Sequence, residues 1–164
     1  MEIRSAEARD LPAILEIYNQ GIEDRTATLE TETKDETYIQ TWFADREHRY
    51  AVLVAERDGS ILGWASVNPY NKRAAYHGVG DLSIYIHRNH RGQGVGKRLL
   101  AELENWGRAH AFYKFVLFTF PFNALGQGLY KNSGYREVGV FRNQGMLDGR
   151  FVDVMAMEKL LEEN

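Results

Sequence analysis

The 164-residue chain contains no cysteine and only three prolines. The absence of cysteine excludes disulfides, zinc–cysteine sites and a covalent thiol intermediate. The prolines at 12, 69 and 121 are far apart, and no Gly/Ser-rich linker, repeat or low-complexity run divides the sequence. Because single domains most often contain roughly 100–150 residues, we expect one domain over residues 1–164.

An excess of one charge and a long apolar run are also missing. The chain has 20 Lys and Arg against 23 Asp and Glu, a net charge of −3, which argues against a general nucleic-acid binder. No apolar run approaches the roughly 20 residues of a membrane helix. The first four residues have no apolar stretch typical of a secretory signal. We therefore expect a cytoplasmic protein that binds neither nucleic acid nor membranes.

The pattern of apolar residues predicts alternating helices and strands. Asp10 is a plausible N-cap for a first helix, and the pair Thr33 and Glu36 has the spacing of a capping box that opens a second one. Strands are predicted at Ile3 and over residues 50–56, 61–67, 79–86, 114–120, 135–141 and 151–157. Two further helices are predicted, one carrying Leu99, Leu100, Leu103 and Trp106, and one over residues 124–132 that ends at Gly134. The order β-α-α-β-β-β-α-β-α-β-β predicts an α/β (α+β) fold, with helices packed on one mixed sheet.

The strand over residues 79–86 is followed directly by a glycine-rich stretch over residues 91–96. Alternation places Leu82, Ile84 and Ile86 on one face of the strand and Asp81, Ser83 and Tyr85 on the other. Glycines between a strand and a helix let backbone N–H groups approach a phosphate. The stretch is not a Walker A loop, because Arg91 stands where the first glycine is required and Arg98 follows Lys97 where serine or threonine is required. It is not a dinucleotide fingerprint either, because Lys97 occupies the position of the third glycine. A tight turn without a ligand is the alternative.

Two blocks of sequence resemble the GNAT N-acetyltransferase superfamily, and the order of elements does so over essentially the whole chain. Arg91, Gly94 and Gly96 fit its R/Q-x-x-G-x-G/A acyl-CoA signature, and the block from Asn123 to Tyr135 is similar to a second family segment. The phosphinothricin and amino-acid N-acetyltransferase branch is the most similar, on residues 17–19, 70–76, 81–86 and 148–154. Asp81, Tyr130 and Phe151 depart from it, since the branch usually has glutamate, histidine and tryptophan there. Because these three positions fall on the acceptor side of the implied site, the resemblance indicates the class of reaction but does not identify the acceptor.

The resemblance implies one N-acetyltransferase domain that transfers the acetyl group of acetyl-CoA directly, in a ternary complex, to the primary amine of a small amino acid or analogue. The backbone of the strand would bind the pantetheine arm, the glycine-rich loop the pyrophosphate, and an N–H near Ile86 the oxyanion. The implied cofactor-binding residues are Ile84, Tyr85, Ile86, Arg91, Gly92, Gln93, Gly94, Val95, Gly96, Lys97 and Asn123. No metal is implied: of the five histidines, His87 and His90 stand three apart beside the loop, but no carboxylate completes a facial triad with them.

For the acceptor side, the resemblance implies Asp81 as general base, acting through a water, and Tyr130 as the acid that protonates the departing thiolate. Tyr70, Arg73 and Tyr76 match acceptor-binding positions, and a guanidinium suits a carboxylate or phosphinate. Branch members commonly form homodimers, so a homodimer is expected. Three alternatives stay open: a non-catalytic CoA-binding regulatory module, an acetyltransferase of another small amine such as a polyamine, and a nucleotide-binding domain. The acceptor itself is not identified among phosphinothricin, methionine sulfoximine or sulfone, ordinary amino acids and polyamines.

Overall fold

The computed structural model describes residues 1–161. The last three residues of the predicted domain, 162–164, lie outside the described residues. The strands are β1 (Glu2–Ser5), β2 (Val52–Arg57), β3 (Ser60–Pro69), β4 (Val79–Ile86), β5 (Lys114–Thr119), β6 (Arg136–Leu147) and β7 (Arg150–Leu160). The α-helices are α1 (Leu11–Glu23), α2 (Glu36–Ala44), α3 (Val95–Ala109) and α4 (Ala124–Asn132). Their order confirms the predicted one, and no helix in this range is long and apolar enough to cross a membrane.

The seven strands form one mixed sheet in the order β1-β2-β3-β4-β5-β7-β6. Only β4 and β5 are parallel, and α3 provides the crossover between them. These two strands pair over residues 79–81 and 114–116 and then diverge. Beyond Asp81 the edge of β4 that faces β5 is therefore open, and this gap positions the site.

Helices cover both faces of the sheet. Leu99, Leu100 and Leu103 of α3 are fully buried in a core that includes Leu82 of β4. On the other face, α1 and α2 pack against a cluster that contains Trp64 and the ring of Tyr85. The predicted alternation of β4 is confirmed, because its aliphatic residues face α3 and Tyr85 faces α1.

The helix ends differ in part from the sequence prediction. Asp10 precedes α1 but makes no side-chain cap, because Arg4 binds its carboxylate through two nitrogens at 2.8 and 2.9 Å. The capping box of Thr33 and Glu36 is wrong: Asp35 is the N-cap of α2 and accepts from the N–H of Tyr38 at 2.9 Å. Gly134 does end α4, with a φ of +91° that favours glycine.

β6 and β7 form a longer hairpin than predicted. The turn lies at Asp148 and Gly149, as the sequence indicates, with φ values of +51° and +78°. The prediction ended the first strand at Phe141, where the register shifts and Asn143 adopts a φ of +52°. This irregularity breaks the alternation of side chains, although pairing resumes at Gly145.

Candidate functional site

A cleft of about 620 Å³ lies where β4 and β5 diverge, between β4, the start of α3 and α4. Its walls include the following predicted cofactor-binding residues: Ile84, Tyr85, Ile86, Arg91, Gly92, Gly94, Val95, Gly96, Lys97 and Asn123. Gln93 is not part of the wall, and its side-chain amide donates to the carbonyl of Asn89 at 3.3 Å. The structure therefore brings together residues from two sequence blocks that are about 30 positions apart.

The main chain of β4 presents polar groups to this cleft at alternate residues. The carbonyl of Gly78 accepts from the N–H of Lys114 on the β5 side, whereas the N–H of His87 donates to Leu62 on the β3 side. Because main-chain groups alternate along an extended strand, those of Ile84 and Ile86 point toward the gap. Those of Tyr85 point toward β3, so Tyr85 borders the cleft through its side chain. Two of the three predicted residues thus offer main-chain partners.

The glycines of the loop serve two different purposes. Gly92 and Gly94 have φ values of +75° and +86°, and a Cβ built on either would meet nothing within 4 Å. They therefore border open space, and Gly94 is also the N-cap of α3, whose first N–H groups have no acceptor within the helix. Gly96 is different, since its Cβ would lie 2.8 Å from Leu129 of α4. Two glycines allow close approach to the loop, and the third allows α3 to pack against α4.

The Arg91 side chain is held by the protein itself. Its Nη1 donates to Asp24 at 2.8 Å and its Nε donates to the carbonyl of Ile86 at 3.2 Å. Burial acts to raise the pKa of Asp24, but the hydrogen bonds from Arg88 and Arg91 hold it below its usual value. Arg91 thereby ties the end of α1 to the end of β4.

A smaller cavity of about 220 Å³ adjoins the cleft and contains both predicted catalytic residues, Asp81 and Tyr130. Ala27, Ile84, Tyr85 and Tyr130 line both spaces. The cavity and the cleft therefore meet beside Tyr130. A chemical group transferred between molecules bound in the two spaces would pass next to this side chain.

Asp81 has the environment that a general base requires. Burial raises the pKa of its carboxyl from 3.8 to about 6, and no Lys or Arg among residues 1–161 forms an ion pair with it. The side-chain amide of Asn68 donates to the main-chain carbonyl of Asp81 at 3.0 Å and to the Ser83 hydroxyl at 3.2 Å. A carboxylate with a pKa just below neutral is ionised at pH 7 and still basic enough to accept a proton.

The Asp81 pKa also has a consequence for stability. Because the folded state raises this pKa, ionisation opposes folding; the penalty is absent below pH 3.8 and complete above about pH 6. We expect Asp81→Asn to raise the Tm above about pH 6 and to lose this advantage as the pH falls toward 4. Thermal denaturation across this range would measure it. Glu102→Gln, which removes an exposed carboxylate from α3, is the control, and an equal gain there would contradict the expectation.

Tyr130 of α4 lies at the junction of the two spaces, and Asn123, the N-cap of the same helix, borders the cleft. Burial raises the pKa of the Tyr130 phenol to about 12, so it keeps its proton at neutral pH and can donate it. The Oδ1 of Asn123 accepts from the N–H of Gly126 at 3.0 Å, and its Nδ2 donates to the carbonyl of Thr26 at 3.2 Å. Asn123 thus caps α4 and joins it to the segment between α1 and α2.

Tyr70, Arg73 and Tyr76, the predicted acceptor-binding residues, lie outside the cleft and the cavity. All three are exposed in the loop between β3 and β4, where the two tyrosine rings pack at 5.5 Å. Their role in acceptor binding stays a prediction.

Sequence reasoning missed the residues between α1 and α2. Ala27, Thr28 and Leu29 line the cavity of Asp81, and no motif marks them. Within residues 1–161 the structure contains no group of three His, Asp or Glu side chains that could hold a metal.

Comparison with known proteins identifies the family. Residues 12–135 match the Acetyltransferase (GNAT) family. The L-methionine sulfoximine/L-methionine sulfone acetyltransferase of Pseudomonas aeruginosa is 32% identical over 162 residues, which cover 98% of this chain and 94% of that one. Two solved structures are also similar. The ribosomal-protein-alanine N-acetyltransferase of Brucella melitensis has a TM-score of 0.94 and 33% identity, covering 98% of this chain and 99% of that one.

The second solved structure is a phosphinothricin acetyltransferase from Sinorhizobium meliloti in complex with acetyl-CoA. It has a TM-score of 0.93 and 28% identity, and the match covers 99% of this chain and 89% of that one. The fold, the glycine-rich loop at the divergence of β4 and β5, and the match over residues 12–135 agree. The chain belongs to the acetyltransferase (GNAT) family.

Proposed function

We propose that this protein is a single-domain N-acetyltransferase that uses acetyl-CoA to acetylate the primary amine of a small amino acid or analogue. Phosphinothricin, methionine sulfoximine and methionine sulfone are the analogues favoured by the names of its relatives. The observation that carries the proposal is that Asp81 and Tyr130 line one cavity that opens into the glycine-lined cleft. The cavity volume of about 220 Å³ is below the roughly 300–1,000 Å³ of drug-sized sites, which supports a small acceptor.

The residues of the cleft fit acetyl-CoA, which supplies the acetyl group as a thioester. Gly92, Gly94 and the first turn of α3 would hold the pyrophosphate through backbone N–H groups, with the charge of Lys97 nearby. The main-chain groups of Ile84 and Ile86 that point toward the gap would bind the pantetheine arm. Asn123 would border the same arm.

Within the cavity, Asp81 takes a proton from the acceptor's ammonium group through a water, which frees the nitrogen lone pair. The nitrogen then attacks the thioester carbonyl where the cavity meets the cleft. The predicted main-chain N–H near Ile86 is that of Ile84, which lines both spaces and stabilises the oxyanion that forms. As the carbon–sulfur bond breaks, Tyr130 donates its proton to the thiolate. The nitrogen loses its second proton, which returns to the Tyr130 phenolate through water, and Asp81 releases the first proton to solvent. Because the chain has no cysteine, no cysteine thiol carries the acetyl group, and the transfer is direct.

Removing the hydroxyl of Tyr130 tests the acid. We expect Tyr130→Phe to lower kcat about tenfold, because a thiol with a pKa near 8.5 leaves readily and needs only modest assistance. The affinity for acetyl-CoA should persist, since the ring still fills its place. Steady-state kinetics and calorimetry would measure both quantities. Tyr135→Phe removes a neighbouring hydroxyl that bonds to Glu104 rather than to the site and is the control. A wild-type rate in Tyr130→Phe would exclude the acid role.

The acceptor is tested by following thiol release from acetyl-CoA with DTNB in a panel of amines. The panel contains L-methionine sulfone, L-methionine sulfoximine, phosphinothricin, ordinary amino acids, spermidine and a peptide with an N-terminal alanine. We expect the highest kcat/KM with an amino-acid analogue. Tight binding of acetyl-CoA without thiol release would favour the non-catalytic module. A larger gain in Tm from ATP or NAD than from acetyl-CoA would favour the nucleotide-binding alternative.

A homodimer and a cytoplasmic location are part of the proposal. The outer strand β6 and its partner β7 expose large apolar side chains, which support an interface with a second copy. Those exposed by 41–63% are Val138, Val140, Phe141, Met146 and Phe151. Sedimentation velocity of the wild type and of Met146→Asp would test the dimer, and a monomeric wild type would contradict it. The cytoplasmic location rests on composition alone.

A further inference from the structure

The segment of residues 24–31, which we name the strap, follows α1 and forms one wall of the Asp81 cavity. Ala27, Thr28 and Leu29 supply that wall. The strap has no helix or strand of its own, so its conformation depends on contacts with its neighbours. Those contacts converge on Arg25.

Arg25 binds the strap and the β6–β7 hairpin at the same time. Its Nη1 donates to the carbonyls of Thr31 at 3.0 Å and Glu30 at 3.3 Å, which closes the strap on itself. Its Nε and Nη2 donate to the two carboxylate oxygens of Asp148 at 3.1 and 3.2 Å. This bidentate ion pair fixes the orientation of the guanidinium relative to the carboxylate as well as the distance between them. Arg25 also adopts a φ of +57°, which is uncommon for a residue other than glycine.

Further contacts place the strap between α4 and the hairpin. A Cβ built on Gly145 of β6 would lie 2.7 Å from Leu29, so the strap packs closely on that strand. On the other side, the carbonyl of Thr26 accepts from Asn123. Asp24, the first residue of the strap, is bound by Arg91 of the cofactor loop. The strap is thus anchored on both the cofactor side and the acceptor side.

We infer that Arg25 is a positioning residue for the acceptor: its pairing with Asp148 holds the strap as the wall of the Asp81 cavity. Arg25 does not line the cavity or the cleft, so it acts through the strap. This inference rests on the proposed function. A partly exposed ion pair would by itself contribute little, but Arg25 also holds two main-chain carbonyls, and their loss would release the strap.

Loss of Arg25 should therefore affect the acceptor selectively. For Arg25→Ala we expect the acceptor KM to rise about tenfold, or about 1.4 kcal/mol, because the charge-assisted hydrogen bonds that hold the strap are lost. The KM for acetyl-CoA should stay near the wild-type value. Asp148→Asn, which keeps a side chain suited to the positive φ of this turn but removes the charge that Arg25 binds, should raise the acceptor KM less than Arg25→Ala does. Arg9→Ala, which removes an exposed arginine paired with Glu7, is the matched control.

The test combines hydrogen–deuterium exchange with kinetics on the full chain, using L-methionine sulfone as the acceptor. The inference predicts faster exchange of the strap amides in Arg25→Ala than in the wild type and in Arg9→Ala, with no change in β2 or β3. It also predicts the selective rise in acceptor KM. Unchanged exchange, or faster exchange with an unchanged acceptor KM, would overturn it. If the wild type acetylates no amine, the proposed function fails, and the exchange data alone decide whether Arg25 holds the strap.

Discussion

Replacing Gly94 with valine is expected to weaken the binding of acetyl-CoA about 100-fold in a protein that remains folded. The new side chain would not clash with the rest of the protein, because a Cβ built on Gly94 would meet nothing within 4 Å. The side chain would instead occupy the space through which a pyrophosphate approaches the first turn of α3. Loss of two hydrogen bonds to a charged group, at about 1.5 kcal/mol each, corresponds to about 100-fold.

Gly59→Val is the matched control for this effect. Gly59 has a φ of +82°, and a Cβ built on it would also meet nothing within 4 Å, but it lies in the turn between β2 and β3 and does not line the cleft. Both variants should suffer a similar loss of Tm from valine at a positive φ. Isothermal titration calorimetry should show weak binding only in Gly94→Val. Unchanged affinity in folded Gly94→Val would contradict the assignment of the loop to the pyrophosphate.

Asp81→Asn is expected to lower kcat about 100-fold near pH 7, which is at the lower end of the range for loss of a general base. The amine of an amino acid is mostly protonated at this pH and must lose a proton before it attacks. In the wild type, the carboxylate supplies the base at any pH above its pKa of about 6. The rate should therefore fall as the pH drops below that value.

The pH dependence separates a base from a residue that only orients the acceptor. In Asp81→Asn the rate depends on free amine alone, so the loss should be partly recovered at high pH. Asp81→Glu should retain much of the activity, since the carboxylate is kept. If Asp81 only held the ammonium, Asn would raise the acceptor KM at every pH. A pH–rate profile parallel to that of the wild type would then rule out the base.

Local patterns in the sequence were enough to predict the order of elements and the two faces of β4. The alternation from Asp81 to Ile86 is a property of neighbouring residues, and so is the turn signal at Asp148 and Gly149. The N-cap of α2 could not be chosen in this way, because Thr33 and Asp35 both have suitable side chains. Lys34, the one residue between them, is held by Asn19 of α1, whose side chain binds its N–H at 2.8 Å and its carbonyl at 3.0 Å, and α2 begins after Asp35.

The glycine-rich loop was predicted from its motif, but the partners of its arginine were not. Arg91 binds Asp24, a residue 67 positions away in the sequence, and no local pattern links them. The same holds for Arg25 and Asp148, which are 123 positions apart. The wall formed by Ala27, Thr28 and Leu29 exists because the strap is held across the sheet, so it becomes visible only in the folded chain.

A matrix of initial rates, with acetyl-CoA and L-methionine sulfone varied together, tests direct acetyl transfer most directly. NMR of the product would establish that the amine nitrogen carries the acetyl group, with one thiol released for each amide formed. Direct transfer in a ternary complex predicts double-reciprocal lines that intersect, and no thiol release without the amine. Parallel lines, with a burst of thiol before the amine is added, would show an acetylated enzyme and contradict direct transfer.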